Sequence, residues 1–483
     1  MANPQLKLYL GIDFGTSLTK VCVRGSDIPR RSEIVTFAGS NLNQAMLPTQ
    51  VGISAEGRLT DVMTKAEWEE RSSKDLSIID YIKMRLSKLD HERESFPAAS
   101  LPTVQKIDLN QPETIENLCA YYLSGVIRRA QAWFVSKYPE RCAGVELEWH
   151  VQLGVPVKHC DSPALARFQK VLQMAWLLTQ ASILSTVHQL MDVMTELRQN
   201  PLVSSEPFCS VKAEIAAAVR SYTEQPTAQQ GLKFFFDVGS GTIEGTGFYL
   251  RSESGNLIPD FYFGDVIDLG VSALGGLVSE GRKTSTEEVK QMIEQDSFAI
   301  MQRIDVASTG LSSLKTDDHI ANKQRVSLEE VRRELLLNPS EQRHITLRFI
   351  QSQRLMHCLV GKTVMQTEAK NPSAFNSDFI EFFVGGGGGQ SEFYTSTLLG
   401  TYHAFNQCCA RVPPYRLNEL TPPAKERFQM NGVSSEHFHR FIIAYGLSAP
   451  GEAEGGLPSA FPVLPSRTVK KDVLDIYDKD IYQ

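Results

Sequence analysis

LKLYLGIDFGTSLTKVCV at residues 6–23 is an apolar run ending in Asp13, a turn of Gly15, Thr16 and Ser17, and a second apolar run. This order reads as a strand, a tight turn with an acid at its mouth, and a returning strand. LKFFFDVGSGTIEGTGFYL at residues 232–250 repeats the pattern, with Asp237 before Gly239, Ser240, Gly241 and Thr242. A unit met twice points to duplication. Glycine lets a backbone come close to phosphate oxygens, and successive N–H groups in such turns attract anions. Two such turns facing each other can grip one nucleotide from both sides. Asp13 and Asp237 can hold a hydrated Mg²⁺.

A third segment, FIEFFVGGGGG at 379–389, runs an apolar strand into a glycine turn that includes Gly385, Gly386 and Gly387. Around these segments, strands are expected at 6–38, 144–157, 232–238, 243–250, 259–268 and 379–384. Helices are expected at roughly 63–93, 113–138, 161–198, 210–222, 390–405 and 434–445, with a mostly helical, charged stretch at 285–370. Strands followed by helices, twice over, indicate an α/β protein with two similar lobes. The cleft between such lobes is the expected ligand site.

Bulk properties narrow the function. A net charge of −7 over 483 residues argues against a nucleic-acid binder that works by bulk electrostatics. No window is apolar for long enough to span a bilayer, and the N-terminus runs straight into a strand, so no membrane partner and a cytoplasmic location are expected. The cysteines form no CxxC pair. His437 and His439 are too isolated in sequence for a metal site. No Walker lysine loop and no complete GxGxxG follows a strand, which disfavours P-loop and Rossmann nucleotide sites.

The two acid-glycine turns and the glycine strand, taken in order, resemble the phosphate-1, phosphate-2 and adenosine motifs of the actin, sugar-kinase and heat-shock-chaperone superfamily. More positions match its DnaK-type chaperone branch than the others. DYIKMRLSK at 80–88 resembles that family's Lys-Arg-Leu stretch. LGVPVKHCDSPALARFQKVL at 153–172 resembles its Val-Pro-Ala strand end and following helix. AEIAAAVRSY at 213–222 resembles its Glu-Pro-x-Ala-Ala-Ala segment without the Pro, and FIIAYGLSA at 441–449 resembles its closing Ala-Tyr-Gly helix.

The resemblance implies an actin-like ATPase fold of two lobes, each built on a ribonuclease-H-like unit. Residues 1–208 would form the first lobe. Residues 209–449 would form the second, with a helical subdomain at about 271–370, and 450–483 a linker and tail. It implies ATP and Mg²⁺ as cofactors. Lys83 would reach the γ-phosphate, with Lys88 as a shifted alternative. Glu214 would sit near metal and water, with Glu206 as a rival. Asp237 and Glu244 would complete the catalytic set, Glu244 standing where the family has Asp. Gly15, Thr16, Ser17, Gly239, Ser240, Gly241, Thr242 and Gly385–Gly387 would bind nucleotide, and Asp13 and Asp237 would orient the metal's water shell.

The family's peptide-binding sandwich and helical lid are not expected after Gly446. The stretch that follows is rich in Pro and Gly, and TVKKDVLDIYDKDIYQ at 468–483 is charged with two tyrosines. This end reads either as a tail or as a peptide that docks on a partner. The expected function is a slow, chaperone-like ATPase whose nucleotide state is read by an unknown protein partner or client. An actin-like filament-forming ATPase and a small-molecule kinase are the alternatives.

Overall fold

The computed structural model describes residues 4–28, 31–71, 76–87, 108–109, 111–160, 162–199, 208–225, 227–271, 339–408 and 412–451. Most of the expected 271–370 subdomain, Lys88, Glu206 and the tail beyond 451 lie outside these residues. The fold is mixed α/β. It divides into two compact units: Met1–Gln230 with Arg251–Asp260 and Leu420–Ala460, and Gly231–Leu250 with Phe261–Glu419 and Phe461–Gln483.

In the first unit the chain opens with β1 (Gln5–Phe14), β2 (Leu18–Gly25), β3 (Ser32–Ile34), α1 (Leu42–Ala45), β4 (Leu47–Pro48) and β5 (Val51–Ser54). It continues with α2 (Lys65–Glu70), β6 (Leu76–Ile79), α3 (Ile82–Ser87), α4 (Pro112–Lys137), α5 (Pro139–Cys142) and β7 (Glu146–Val155). Helices α6 (Pro163–Gln180) and α7 (Val187–Gln199), strand β8 (Cys209–Ala213) and helix α8 (Glu214–Thr223) follow. The second unit contains β9 (Gly231–Val238), most of β10 (Ile243–Glu253) and of β11 (Asn256–Ile267), α9 (Pro339–Lys370), β12 (Ile380–Gly385), α10 (Glu392–Cys408) and β13 (Tyr415–Leu417). Strand β14 (Phe428–Gln429) and helix α11 (Ile442–Leu447) return to the first unit.

The larger sheet has the order β14-β3-β2-β1-β7-β8, with β4 beside β2. Strand β1 is antiparallel to β2 and parallel to β7, and β7 is parallel to β8. The second sheet has the order β11-β10-β9-β12-β13, with β9 antiparallel to β10 and parallel to β12, and β12 parallel to β13. Reading outward from the first strand of each unit, the sheets share neighbour order and these strand directions. Each central strand carries the acid of an acid-glycine turn one residue before its end, Asp13 in β1 and Asp237 in β9.

Helices cover both faces of the first sheet. Residues on one strand alternate between faces. Leu10, Ile12 and Phe14 join a core with α4, where Phe14 lies against Tyr122 at 5.9 Å between ring centroids. On the other face α11 comes so close that a Cβ on Gly11 would sit 2.3 Å from the Ala444 carbonyl. Capping defines several helix starts. Thr64 and Glu67 form a capping box on α2, and Ser162 accepts from the Ala164 amide ahead of Pro163 on α6.

In the second unit Phe236 stacks on Phe382 at 4.9 Å, and Phe382 on Tyr415 at 5.2 Å, across β9, β12 and β13. Glycines in β10 leave space for α9: a Cβ on Gly247 would lie 2.1 Å from Thr367 Oγ1.

The units divide the chain differently from the expected 208/209 and 449/450 boundaries. Strand β8 extends the first sheet beside β7, α8 packs against α11, and α11 packs against β1, so 209–225 and 428–449 belong with the first unit. The expected 63–93 helix is two short helices interrupted by β6, and 210–222 begins as strand before turning helical at Glu214. The expected 434–445 helix is a 3₁₀ turn at Ser435–Arg440 followed by α11.

Candidate functional site

In the first unit the β1–β2 turn is short and firmly tied. The Gly15 amide donates to the Asp13 carbonyl at 3.0 Å, and the Thr49 amide to the Ser17 carbonyl at 2.9 Å. A Cβ on Gly15 would meet the Leu18 carbonyl oxygen at 2.3 Å, so only glycine closes the turn this tightly. Asp13 and Thr16 are buried and Ser17 is half-buried. The antiparallel register sets Asp13 opposite Lys20, and Lys20 Nζ lies 2.8 Å from Asp13 Oδ2.

Lys83 stands near the start of α3, behind Tyr81, whose φ of 52° turns the chain into the helix. Glu214 is the first residue of α8, where a carboxylate suits the positive helix end. Lys83 Nζ donates to Glu214 Oε1 at 2.6 Å with both side chains buried. Glu214 fits because residue 154 on β7 is glycine: a Cβ there would lie 2.8 Å from Glu214 Cγ.

Burial holds the Glu214 carboxyl above the ordinary carboxylate range, against the opposing pull of the Lys83 ammonium. Asp13 pushes it up further, and Lys20 pulls it down. Asp13, Lys20, Lys83 and Glu214 therefore form one electrostatic cluster of two acids and two cations, drawn from β1, β2, α3 and α8. Three of the four were legible in the sequence. Lys20 was missed, because only the observed register, with Phe14 opposite Thr19, sets 20 opposite 13.

In the second unit the segments 232–250 and 379–389 meet along one row of the sheet. Asp237 pairs with Glu244 on the antiparallel side and with Gly385 on the parallel side. Residues paired across strands carry their side chains on the same face, so Asp237 and Glu244 stand side by side. Glu244 is buried and Asp237 half-buried.

The turn around them is knitted by backbone bonds. Gly239 N donates to Thr242 O at 2.9 Å, Val271 N to Gly239 O at 3.0 Å, Gly270 N to Gly241 O at 3.1 Å and Gly388 N to Val238 O at 2.9 Å. Gly241 is buried, Ser240 and Thr242 are half-buried, and Gly387 is exposed. Gly386 has φ 77°, and a Cβ on it would lie 2.4 Å from Val238 O and 2.9 Å from Asp237 Oδ1. The glycine run brings backbone against the acid in a way no larger residue allows.

Among the described residues no group of three or more His, Cys, Asp or Glu forms a self-sufficient metal cage. His439 is buried with Nδ1 2.7 Å from the Glu436 carbonyl. No helix among the described residues is long and apolar enough to cross a membrane. Comparison with protein-family models and with curated proteins gives no match.

Proposed function

We propose that this chain binds Mg·ATP and hydrolyses it slowly, using its nucleotide state as a conformational switch, in the manner of a DnaK-type ATPase domain on a duplicated, actin-like fold. The observation that carries this reading is the convergence of Asp13, Lys83 and Glu214. They were singled out from three separate stretches of sequence, and they occupy one buried cluster with Lys83 and Glu214 2.6 Å apart. The matched strand order of the two sheets and the row Glu244–Asp237–Gly385 support it further.

The donor set fits a metal held mainly through phosphate and water. Mg²⁺ keeps several waters and takes few protein carboxylates, and each unit offers acids of that kind: Asp13 in one, Asp237 and Glu244 in the other. When bound, Mg²⁺ neutralises charge on the phosphate oxygens. Lys83 and Lys20 add positive charge for the same oxygens. Asp13 and Asp237 would be the carboxylates that hold the metal's waters. Glu214, whose affinity for a proton is raised by burial against the opposing pull of Lys83, would accept a hydrogen bond from the attacking water and align it. The turns at Gly15–Ser17, Gly239–Thr242 and Gly385–Gly387 supply backbone amides and close approach to phosphates and nucleoside.

Replacing either Asp13 or Asp237 with Asn tests this assignment. Each removes one preorganised charge from the phosphate site, and a fall in single-turnover rate on the order of 10²–10³ is expected with the fold retained. Rates within a few-fold of wild type for both variants would refute the roles. ATP would drive the switch through differential affinity for two conformations, and an ATP-dependent protein partner would read it.

A further inference from the structure

Lys20 and the proposed metal ask for the same carboxylate. Lys20 Nζ lies 2.8 Å from Asp13 Oδ2, and 15% of the lysine side chain and 6% of the aspartate side chain are exposed. Nζ also lies 3.3 Å from where a Cβ on Gly15 would stand, so the ammonium reaches along the acid-glycine turn itself. An ammonium held on this carboxylate repels any cation that approaches it.

The two hairpins of the chain differ at this position. In both, the seventh residue after the acid pairs with it across the strands: Lys20 opposite Asp13 in β1–β2, and Glu244 opposite Asp237 in β9–β10. The repeated pattern therefore sets a cation against one acid and an acid against the other. A lysine is not needed to close such a hairpin, since the second closes with Glu244 in its place.

Within the first unit the charges of the cluster sum to zero. Asp13 has Lys20, and Glu214 has Lys83 at 2.6 Å. None of the four side chains is more than 15% exposed, so water screens them little. A divalent cation arriving alone meets two ammonium groups at the same short range as two carboxylates. Without Lys20 it would meet a net negative charge.

Phosphate changes this balance. An ammonium binds phosphate as a point charge, and the lysine stem is flexible, with three donors that rotate. On the nucleotide reading above, on which this inference rests, phosphate oxygens come to the Gly15–Ser17 turn, beside Nζ. The ammonium then turns to them, and Asp13 is freed for the metal's water. We infer that Lys20 is a gate on the metal: it holds Asp13 against free divalent cations and releases it when a phosphate group takes the ammonium, so that metal enters with nucleotide and not ahead of it.

Mn²⁺ titration of the full chain without nucleotide, followed by electron paramagnetic resonance, tests this. Lys20→Gln keeps a hydrogen-bond donor for Asp13 without the charge. It is expected to gain a Mn²⁺ site about tenfold or more tighter than any that Asp13 offers in the wild type, and Lys20→Gln/Asp13→Asn is expected to lose that gain. Mn²⁺ held at Asp237 and Glu244 is common to all these proteins and cancels in the comparison. Lys20→Arg keeps the charge on Asp13 and is expected to bind as weakly as the wild type, which separates the gate from a general loosening of the hairpin. A further arm leaves Lys20 in place: without nucleotide, Asp13→Asn alone is expected to leave Mn²⁺ binding unchanged, and a loss there would overturn the gate. ATP titration in EDTA completes the set, with Lys20→Gln expected to bind several-fold more weakly than the wild type. Equal Mn²⁺ affinity in Lys20→Gln and the wild type, or a gain that survives Asp13→Asn, would overturn the gate, while ATP binding by the wild type would leave the nucleotide reading standing. A wild type that binds no ATP, in EDTA or with Mn²⁺, would overturn the nucleotide reading and the gate with it.

Discussion

Lys83 Nζ lies 2.6 Å from Glu214 Oε1 across 131 residues of chain, with both side chains buried. Breaking such a pair from one side strands the other charge. Lys83→Met is expected to destabilise the chain by about 3–5 kcal/mol, because Glu214 is left buried without its cation. The double variant Lys83→Met/Glu214→Gln is expected to regain most of that stability yet remain without ATP turnover. Urea unfolding beside single-turnover assays separates the two effects. A single variant as stable as wild type would show that the pair does not hold the site together.

His439 gives a pH signature. Burial, against the opposing hydrogen bond to the Glu436 carbonyl and helped by Arg440, His437 and Lys20, pushes its pKa down from 6.5 to about 4. The folded state thus binds fewer protons than the unfolded chain between these values. Stability from the neutral ring is present above pH 6.5 and lost as pH falls through 4. His439→Asn removes the titrating ring, so its unfolding free energy should fall less than that of wild type between pH 7 and pH 4. The gap is expected to be about 3 kcal/mol. Parallel acid limbs for the two proteins would contradict it.

Gly386→Ala tests the glycine turn. The new methyl would meet Val238 O at 2.4 Å and Asp237 Oδ1 at 2.9 Å on a backbone at φ 77°. The cost is expected to be about 1–3 kcal/mol of stability. A loss of nucleotide affinity larger than the loss of stability should accompany it, because Asp237 is displaced. Thermal melts and nucleotide titration of the same sample decide this. Unchanged affinity would detach the turn from the site.

Gly446→Ala tests the seating of α11. A Cβ there would lie 1.9 Å from the Ala217 carbonyl, which is backbone and cannot swing aside. Overpacking of this kind is expected to cost about 1–3 kcal/mol. A melting temperature equal to wild type would mean that α11 shifts freely against α8.

The two acid-glycine hairpins were legible because each joins apolar runs around a short turn with an acid at its mouth, and that pattern has few other solutions. Asp13 and Asp237 followed from it directly, while Glu244 came only from the family resemblance. The helical readings fared less well where tertiary pairing decides. Cys209–Ala213 offers only weak alternation, yet it becomes β8 because β7 presents an open edge. Leu76–Ile79 becomes β6 by pairing with Val51–Ser54, inside what periodicity reads as one helix. Segment 428–449 joins the first unit through β14 on β3 and α11 on β1, contacts that no local pattern encodes. Lys20 went unread because it looks like any strand lysine until the register sets it opposite Asp13.

Calorimetric titration of the full chain with ATP, with and without Mg²⁺, is the most direct measurement of the central claim. Saturable binding that Mg²⁺ strengthens, and that Asp13→Asn and Asp237→Asn each weaken in the presence of Mg²⁺, is the result expected. No detectable binding at millimolar ATP with Mg²⁺ present would contradict the functional reading as a whole.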